Sequence, residues 1–318
     1  MSRVIKNITV LLPIYNAAEY LSRAINSILR QSFKEFELLI IDDGSKDNPE
    51  KIISSFKDSR IIYKKFEHSG LSSALNKGIK LAKTEWIARQ DADDLSVPDR
   101  FQKQIEFLSN SNDTDILSCW SIYFNNKNKI AFKVKTPVQH ETIVEFLNLH
   151  NPLNHSGVVY RKSIFKENKY NESLKYFEDF EFFHRIKNKV RFAIIPEYLV
   201  YSKLDTYNFD YIDNRNIVYD FLFDEAFKNM LDSKSKGDHF YWTTKIAWIN
   251  YFYGDRKKTR KYFYNSFSLK NILGFLSTYL PDEIFEKFLT SRARFRIENL
   301  FSNNKKFYQE LRQLLNEH

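Results

Sequence analysis

The stretch ITVLLPIYN at residues 8–16 is followed by FELLIIDDGS at residues 36–45 and WIARQDADD at residues 86–94. In each of them a run of aliphatic and β-branched residues ends at polar side chains. Continuous apolar runs of this kind are typical of strands buried on both faces of a parallel sheet. Patterns with helical spacing lie between and beside them, at residues 17–31, 49–56 and 71–82. This alternation predicts an α/β fold with right-handed crossovers.

Polar clusters stand where the predicted strands end. Tyr15 and Asn16 follow the first strand, Asp42 and Asp43 the second, and the acidic quartet at residues 91–94 a later one. Ligands of open parallel sheets bind beyond the carboxyl ends of the strands, so we expect these side chains to face one crevice. Closely packed carboxylates repel each other and are best tolerated in water or around a cation. The quartet is therefore a candidate site for a hard divalent ion, with an exposed acidic turn as the plain alternative.

The other polar residues at strand and helix ends also allow two interpretations each. Asp43 is placed to accept a hydrogen bond from a nucleobase or ribose, or to close an ordinary β-turn. The ring of Tyr15 offers a stacking surface for a base, or packs at the strand end. Glu178 and Asp179 precede a predicted helix, where carboxylates serve as caps or, in a cleft, as a general base. His155 is a structural histidine or a residue that faces a diphosphate or a metal.

The second half of the chain has a mixed pattern. A helix is predicted from Pro98 through Leu108, and residues 116–124 and 130–134 form a predicted strand pair. Short strands are predicted at residues 157–160 and 198–203, with a helix at 180–186 between them, and residues 140–154 are taken as a loop. From about residue 206 to residue 318 the chain is aromatic-rich, basic and helical in its periodicity, which predicts a helical C-terminal region.

The composition restricts the partners and the kinds of site that the chain can have. The 318 residues carry a net charge of +9, and residues 255–318 hold thirteen basic and seven acidic side chains. This excess suits an anionic partner, such as a phosphorylated substrate or an anionic membrane surface. Cys119 is the only cysteine, so disulfides within the chain and multi-cysteine metal sites are excluded. No signal peptide is expected, because the short N-terminal apolar run leads into a helical pattern and not into a small-residue cleavage site. No membrane span is expected, because no uncharged apolar run approaches about 18 residues.

Taken in order, these motifs resemble the inverting glycosyltransferase family 2, which has the GT-A fold. The resemblance covers about residues 7–204. It is carried by VLLPIYN (10–16), IDDGS (41–45), NKGI (76–79), IARQDADD (87–94) with Pro98, Arg100 and Gln104, HSGV (155–158), and Glu178 with Asp179. It implies a GT-A catalytic domain at residues 1–205, with a nucleotide-sugar half at about 1–110 and an acceptor half at about 111–205.

The resemblance also implies site residues and a cofactor. Asp179 corresponds to the catalytic base, with Glu178 beside it, and Asp94 and Asp93 to the ligands of one Mg²⁺ or Mn²⁺ ion. Residues expected to contact a UDP-sugar are Pro13, Tyr15, Asp43, Asn76, Arg89, Asp91, Asp93 and His155. The Gln-x-x-Arg-Trp motif and the membrane spans of processive members are not found in the sequence, which favours transfer of a single sugar.

The predicted function is therefore the transfer of one sugar from a UDP-sugar to a glycan or lipid-linked saccharide. Synthesis of a capsule, a lipopolysaccharide or another bacterial surface polysaccharide is expected, in the cytoplasm or at the cytoplasmic face of the inner membrane. The basic, aromatic C-terminal region is a candidate for peripheral contact with anionic lipid, and the plain alternative is a helical subdomain that packs its aromatic residues on the catalytic core. No nucleic acid is expected as a partner, because no recognised nucleic-acid-binding module is present. The alternatives are a nucleotidyltransferase, disfavoured because residues 16–20 lack glycine, and a non-catalytic scaffold that retains the fold.

Overall fold

The computed structural model describes residues 4–111, 113–124, 130–203, 215–233, 235–254 and 256–265, with 271, 275–276 and 278–279. The chain divides into two compact units. The first comprises Met1–Leu147 with Asn151–Asn214, and the second comprises Asn148–His150 with Arg215–His318.

The first half of the first unit alternates strands and helices, as predicted. Its elements are β1 (Ile8–Ile14), α1 (Ala18–Leu29), β2 (Phe36–Asp42), α2 (Pro49–Ile53), β3 (Ile61–Lys65), α3 (Leu71–Leu81) and β4 (Trp86–Arg89). The four strands are parallel neighbours in the order β3-β2-β1-β4. The polar clusters after β1, β2 and β4 therefore lie at one edge of the sheet.

The second half adds strands of both directions. Its elements are β5 (Leu95–Ser96), α4 (Arg100–Asn110), β6 (Ile116–Phe124), β7 (Ile130–Val134), α5 (His140–Leu147), β8 (Val159–Arg161), α6 (Glu178–Ile186) and β9 (Phe192–Lys203), with 3-10 turns at His155–Gly157 and Lys162–Lys166. The sheet continues β4-β8-β6-β9-β5, and β7 pairs with β6. β8 runs antiparallel to β4 and β6, whereas β9 is parallel to β6. The α/β architecture is confirmed, and its parallel part is concentrated in the first four strands.

Several predicted boundaries are wrong in this half. The fourth helix begins at Arg100 instead of Pro98, because Val97 donates its N–H to Leu199 O and keeps the preceding residues on the sheet. The predicted strand at 157–160 is a 3-10 turn followed by β8. β9 is 12 residues long, so it starts well before residue 198. Part of the segment taken as a loop forms α5.

The core of the first unit lies between the parallel strands and the helices beside them. All seven residues of β1 are buried, and its alternate aliphatic residues share one core cluster with Leu21, Ile25 and Ile28 of α1. On α3, Gly78 lies where a Cβ atom would overlap Leu11 Cδ1 and come within 3.1 Å of Ile41 Cγ1. The absence of a side chain at this position lets α3 approach the sheet closely, which fixes the segment that leads into the helix.

In the second unit the structure describes three helices: α7 (Arg215–Leu231), α8 (Lys236–Tyr253) and α9 (Arg256–Asn265). Ser235 caps α8 by accepting the N–H of Asp238 at 3.0 Å. The aromatic rings of Trp248, Phe252 and Phe263 are buried against one another. Within the described residues, therefore, aromatic side chains of this region serve to pack helices together.

The membrane contact predicted for this region falls largely outside the described residues. The side chains of Arg256, Lys257 and Lys261, and most of residues 266–280, are not described. Arg260 lies 4.0 Å from the centre of the Tyr279 ring and donates to the carbonyl of Thr278. Among the helices that the structure describes, none combines the length and the hydropathy that crossing a membrane demands.

Candidate active site

The loops that follow β1 and β2 are joined to each other by hydrogen bonds. Asn16 adopts a left-handed backbone conformation with φ 48°, and its Oδ1 atom accepts the N–H of Lys46 at 2.9 Å. Its own N–H donates to Ser45 Oγ at 3.0 Å. Ala18 donates to Asp47 Oδ2 at 2.8 Å. These bonds hold both loops in one conformation, and Pro13, paired with Ile41 in the adjacent strand, is buried beneath them.

The Asp43 carboxylate organises the segment before α3. Oδ1 accepts the N–H and the hydroxyl of Ser69 at 2.9 and 3.1 Å, and Oδ2 accepts the N–H of Gly70 at 2.8 Å. The same Oδ2 atom lies 2.8 Å from His68 Nδ1. The side chain is 3% exposed, so its acceptor positions are largely used within the protein. The predicted contact between Asp43 and a nucleobase stays a prediction. In the structure the Asp43 carboxylate also stabilises the segment before α3.

A pair of stacked rings stands at the rim of the same loops. Tyr15 and His68 have ring centroids 4.0 Å apart and planes 15° from parallel, and both side chains are exposed. Because His68 is held by the oxygen atoms of Asp43, the stack is anchored from below. Tyr15 was predicted from the sequence, whereas His68 was not. The signal available for His68 was its place shortly before the predicted helix at residues 71–82.

The acidic loop after β4 is held by a buried guanidinium and a hydroxyl. Arg89 is 1% exposed and binds both carboxylate oxygens of Asp91. Ser156 donates its hydroxyl to Asp91 Oδ2 at 3.0 Å and accepts the Asp91 N–H at 3.0 Å. Burial works against the charge of Arg89, but the Asp91 carboxylate outweighs it and keeps the pKa of the guanidinium raised. Arg89 was predicted to contact the UDP-sugar, and in this structure its guanidinium binds Asp91.

Asp93 and Asp94 form the remaining part of the acidic loop. Asp94 is 6% exposed, and its Oδ1 atom accepts the N–H of Lys203 at 2.7 Å. Burial, followed by repulsion from Asp91 and Asp93, raises the pKa of the Asp94 carboxyl to about 8. A cation would relieve this repulsion, so the donor set fits a hard divalent ion that also takes oxygen ligands from a substrate. The described residues contain no group of three or more His, Cys, Asp or Glu side chains arranged to hold a metal ion.

A second buried guanidinium supports the loop from behind. Arg100 is fully buried and donates to the carbonyl of Arg89 and to Ser96 Oγ, both at 2.9 Å, and to Gln104 Oε1 at 3.1 Å. Gln104 in turn donates to the carbonyl of Gly157 at 2.7 Å. Arg100 and Gln104 thereby join the end of β4 to the turn that carries Ser156.

The 3-10 turn His155–Gly157 lies between the acidic loop and α6. Ser156 binds Asp91, as described above, whereas His155 lies beside Glu178, with 3.7 Å between His155 Nδ1 and Glu178 Oε1. The other ring nitrogen of His155 lies 2.9 Å from the hydroxyl of Tyr170. Burial, followed by the charge of Arg89, lowers the pKa of His155 well below its ordinary value. At neutral pH the imidazole is therefore uncharged, and its approach to Glu178 is not an ion pair.

Asn76 acts on this cluster through the main chain of Tyr170. Its amide donates to the carbonyl of Tyr170 at 3.0 Å and to Glu172 Oε1 at 2.9 Å, and it accepts the N–H of Tyr170 at 3.0 Å. Asn76 was predicted to contact the nucleotide-sugar, and that role stays a prediction. In the structure its polar atoms fix Tyr170, whose hydroxyl contacts His155.

Glu178 and Asp179 begin α6, where the helix dipole favours negative charge. The residue before them, Phe177, has φ 62°, which is unusual for an aromatic residue and turns the chain into the helix at this point. Asp179 Oδ2 accepts from Asn151 Nδ2 and Oδ1 from the N–H of Phe180, both at 2.7 Å. Asn151 was not identified from the sequence.

The two carboxyl groups differ in their surroundings. Burial, followed by the Asp179 charge, raises the pKa of Glu178 to about 8. Burial also raises the pKa of Asp179, but the N–H of Phe180 and the charge of Arg89 oppose the rise. A backbone hydrogen bond and the charge of Arg89 also oppose the rise in the pKa of Glu178, so the contact that distinguishes Asp179 is the Asn151 amide bonded to its Oδ2 atom. Because a hydrogen bond to a carboxylate favours its charged form, we expect the first negative charge of the pair to lie on Asp179. Asp179 is thus the better proton acceptor of the two at neutral pH.

The chain is similar in sequence to known glycosyltransferases. The family model described as "Glycosyl transferase family 2" matches residues 9–169. An uncharacterized glycosyltransferase of Methanocaldococcus jannaschii is 33% identical over 201 residues, which cover 61% of this chain and 69% of the relative. The minor teichoic acid biosynthesis protein GgaA of Bacillus subtilis is 30% identical over 202 residues, 59% of this chain and 45% of that protein.

Solved structures share the fold. The S. aureus protein TarS (residues 1–349), determined in complex with UDP, has a TM-score of 0.58 at 19% identity and covers 96% of this chain and 91% of its own. The mannosyltransferase PcManGT of Pyrobaculum calidifontis, in complex with GDP-Man and Mn²⁺, has a TM-score of 0.54 at 15% identity, with 93% of this chain and 88% of its own covered. Since the family model spans half of the sequence and the architecture agrees, the chain belongs to glycosyl transferase family 2.

Proposed function

We propose that the protein transfers one sugar from a UDP-sugar to a hydroxyl group of a glycan or lipid-linked saccharide, with inversion at the anomeric carbon. The observation that carries this proposal is the turn His155–Gly157. It contacts the acidic loop through Ser156 and the start of α6 through His155. A donor bound at the loop and an acceptor bound at α6 would meet across this turn.

Asp179 is the proposed base. Its carboxylate accepts the proton of the acceptor hydroxyl while that oxygen attacks the anomeric carbon of the donor, and the bond from that carbon to the diphosphate breaks. Asn151 and the N–H of Phe180 hold the carboxylate in a fixed orientation. Glu178, which keeps its proton at neutral pH, does not compete for this role. A single displacement of this kind inverts the configuration.

The donor side is proposed to form from the loops after β1, β2 and β4. The Tyr15–His68 stack supports the uracil ring, and Asp43 keeps His68 in place. Asp93 and Asp94 are the residues that would hold Mg²⁺ or Mn²⁺. A divalent ion bound there would offset the negative charge that develops on the leaving nucleoside diphosphate. Arg89 and Ser156 keep Asp91 beside these two carboxylates.

The biological setting is proposed from the relatives. GgaA is named for teichoic acid biosynthesis, and TarS was solved with UDP and with UDP-GlcNAc. We therefore propose a phosphate-bearing surface polysaccharide as the acceptor and residues 1–205 as the catalytic domain, with its donor half at about 1–110. A cytoplasmic location and contact between the C-terminal region and anionic lipid stay predictions. Sedimentation with phosphatidylglycerol vesicles tests the lipid contact.

Donor binding is the first test. A thermal-shift titration with UDP, GDP and CDP and their sugar derivatives, with and without Mn²⁺, is expected to show stabilisation by one UDP-sugar that requires metal. Stabilisation by GDP-sugars alone would identify the donor as a GDP-sugar instead of a UDP-sugar, and the proposed mechanism would be unchanged. Absence of any shift from folded protein would contradict the proposed function.

The base is tested by substitution. Asp179→Asn is expected to lower kcat by roughly 10²- to 10⁴-fold, the usual contribution of a general base, with the donor dissociation constant nearly unchanged. Glu181→Gln is the matched control, because Glu181 lies on the same helix and its carboxylate is engaged by Arg185. Near-normal transfer by Asp179→Asn would exclude Asp179 as the base and leave Glu178 as the next candidate.

A further inference from the structure

Two aromatic rings and two ammonium groups lie together on β6, on β9 and at the end of β7, which Lys135 directly follows. Trp120 of β6 is the register partner of Tyr198 of β9, and their ring centroids are 5.5 Å apart. Lys133 Nζ lies 5.5 Å from the centre of the Tyr198 ring, and Lys135 Nζ lies 5.3 Å from that of Trp120. We call these four residues the aromatic–lysine cluster. None of them has a part in the site described above.

The segment that supplies both lysines carries charge of one sign. Residues 116–140 include four lysines and no aspartate or glutamate. Glu197, next to Tyr198 in the chain, is paired with Lys103. Among the described residues, no carboxylate forms an ion pair with Lys133 or Lys135. In the described part of the chain, therefore, the two ammonium groups of the cluster lie over ring faces and not against carboxylates.

Exposure and chemistry indicate what such a surface binds. Both lysine side chains are exposed, whereas both rings are half-buried. Trp120 Nε1 donates to the carbonyl of Thr136 at 3.0 Å, which fixes the indole in place. A fixed aromatic ring packs against the C–H face of a sugar, and an exposed ammonium group binds a phosphate as a point charge. The combination suits a glycan that bears phosphate groups.

The position of the cluster relates it to the acidic loop. β9 connects Tyr198 to Lys203, whose N–H binds Asp94. Five residues of extended strand span about 17 Å, at about 3.3 Å per residue. Several linked sugar units cover such a distance. A glycan held at the cluster could therefore reach the site where sugar transfer is proposed.

We propose that the aromatic–lysine cluster docks the acceptor chain, a glycan with phosphodiester groups, several sugar units away from the hydroxyl that receives the sugar. This inference rests on the proposed function, because that function identifies the bound glycan as the acceptor. The rings hold sugar units by packing, and Lys133 and Lys135 hold the phosphodiester groups by charge. Docking at a distance raises the affinity for long acceptors and leaves the binding of the donor unchanged.

The test uses purified teichoic acid as the phosphodiester polymer and dextran as an uncharged one, immobilised for biolayer interferometry with the full chain. The double variant Lys133→Gln/Lys135→Gln is compared with wild type and with Lys80→Gln/Lys83→Gln, which removes two exposed lysines elsewhere. Loss of the cluster charges is expected to weaken teichoic acid binding by roughly 2- to 30-fold, the range for two exposed charge contacts. The control pair is expected to bind like wild type, and wild-type binding to decline as salt is raised.

Three results would overturn the inference: no binding of teichoic acid by wild type at low salt, equal losses in both double variants, or preferential binding of RNA of matched charge. A parallel nucleotide-sugar titration separates the two proposals. Wild type that binds a UDP-sugar but no polymer would refute the docking surface alone. Wild type that binds polymer through the cluster but no nucleotide-sugar would support the surface and contradict the proposed reaction.

Discussion

Substitution of Glu178 by glutamine is expected to stabilise the protein at alkaline pH and to leave its stability unchanged at acid pH. The Glu178 carboxyl is 8% exposed and begins a helix beside Asp179. Burial and the neighbouring charge raise its pKa from an ordinary 4.5 to about 8. Glutamine has the shape of the protonated carboxyl and does not ionise, so it removes the energetic penalty that appears when this buried group must become charged.

The direction follows from proton binding. Between pH 4.5 and about 8 the folded state keeps the proton of Glu178, whereas the unfolded state has released it. Folding stability contributed by this group therefore falls as pH rises across that interval and is constant beyond it. The full shift corresponds to about 5 kcal/mol at about 1.4 kcal/mol per pKa unit. Because Glu178 and Asp179 titrate as a pair, we expect a gain of about 2 to 5 kcal/mol for the variant at pH 8.5.

Guanidinium unfolding at pH 4.5, 6.5 and 8.5 measures the effect. The free-energy difference between Glu178→Gln and wild type is expected to be near zero at pH 4.5 and to grow at each step. Glu67→Gln, which changes an exposed glutamate, is the control and is expected to show no such trend. A difference independent of pH would show that Glu178 is ionised in the folded protein, and would remove the reason for preferring Asp179 as the base.

Three further predictions concern packing and positioning. Gly78→Ala is expected to destabilise the first unit by about 1 to 3 kcal/mol in chemical denaturation, because the new methyl group overlaps Leu11; an unchanged midpoint would show that α3 can move outward. Asn76→Ala removes three hydrogen bonds to Tyr170 and Glu172, and is expected to lower kcat without changing the KM for the donor. A change in the donor KM alone would instead indicate that Asn76 contacts the donor directly. Tyr253→Phe deletes a buried hydroxyl that lies 2.8 Å from His150 Nδ1 and 3.0 Å from the carbonyl of Leu149. It is expected to destabilise the second unit by about 1 to 3 kcal/mol and so to lower its melting temperature. A calorimetric scan that shows no loss of stability would refute this account.

Three of the first four strands, β1, β2 and β4, were predictable because their signal is local. Each of these three is an apolar run that ends at polar residues, and their parallel pairing brings those ends to one edge. The second half depends on pairings between distant segments. β8 has three residues and takes its direction from β4 and β6, and β9 contains Pro196 and a register shift against β6. No local pattern specifies such pairings.

The candidate site was predictable in its residue types and less so in their contacts. Asp91, Asp93, Asp94, Glu178 and Asp179 lie on the loop and helix start connected by the turn His155–Gly157. Sequence alone could not assign Arg89 to Asp91, nor show that Asn76 binds a main chain 94 residues away. It also left Asn151 unassigned and missed His68. The partner of a polar side chain is chosen by the tertiary fold, so that residue spacing identifies candidates without fixing what each one touches.

The hydrogen bonds between the loops after β1 and β2 have a thermodynamic consequence. Asn16 and Asp47 hold these loops, and Asp43 holds His68, through contacts that lie entirely within the protein. A receptor whose walls are already in place loses little conformational entropy when its ligand arrives. Nucleotide association should then proceed in one kinetic phase, with a small heat-capacity change that reflects the apolar area in direct contact rather than the folding of a loop. If the proposed nucleotide binds at this rim, we expect selectivity among nucleotides to depend on the shape of the rim and not on closure of a loop around the ligand.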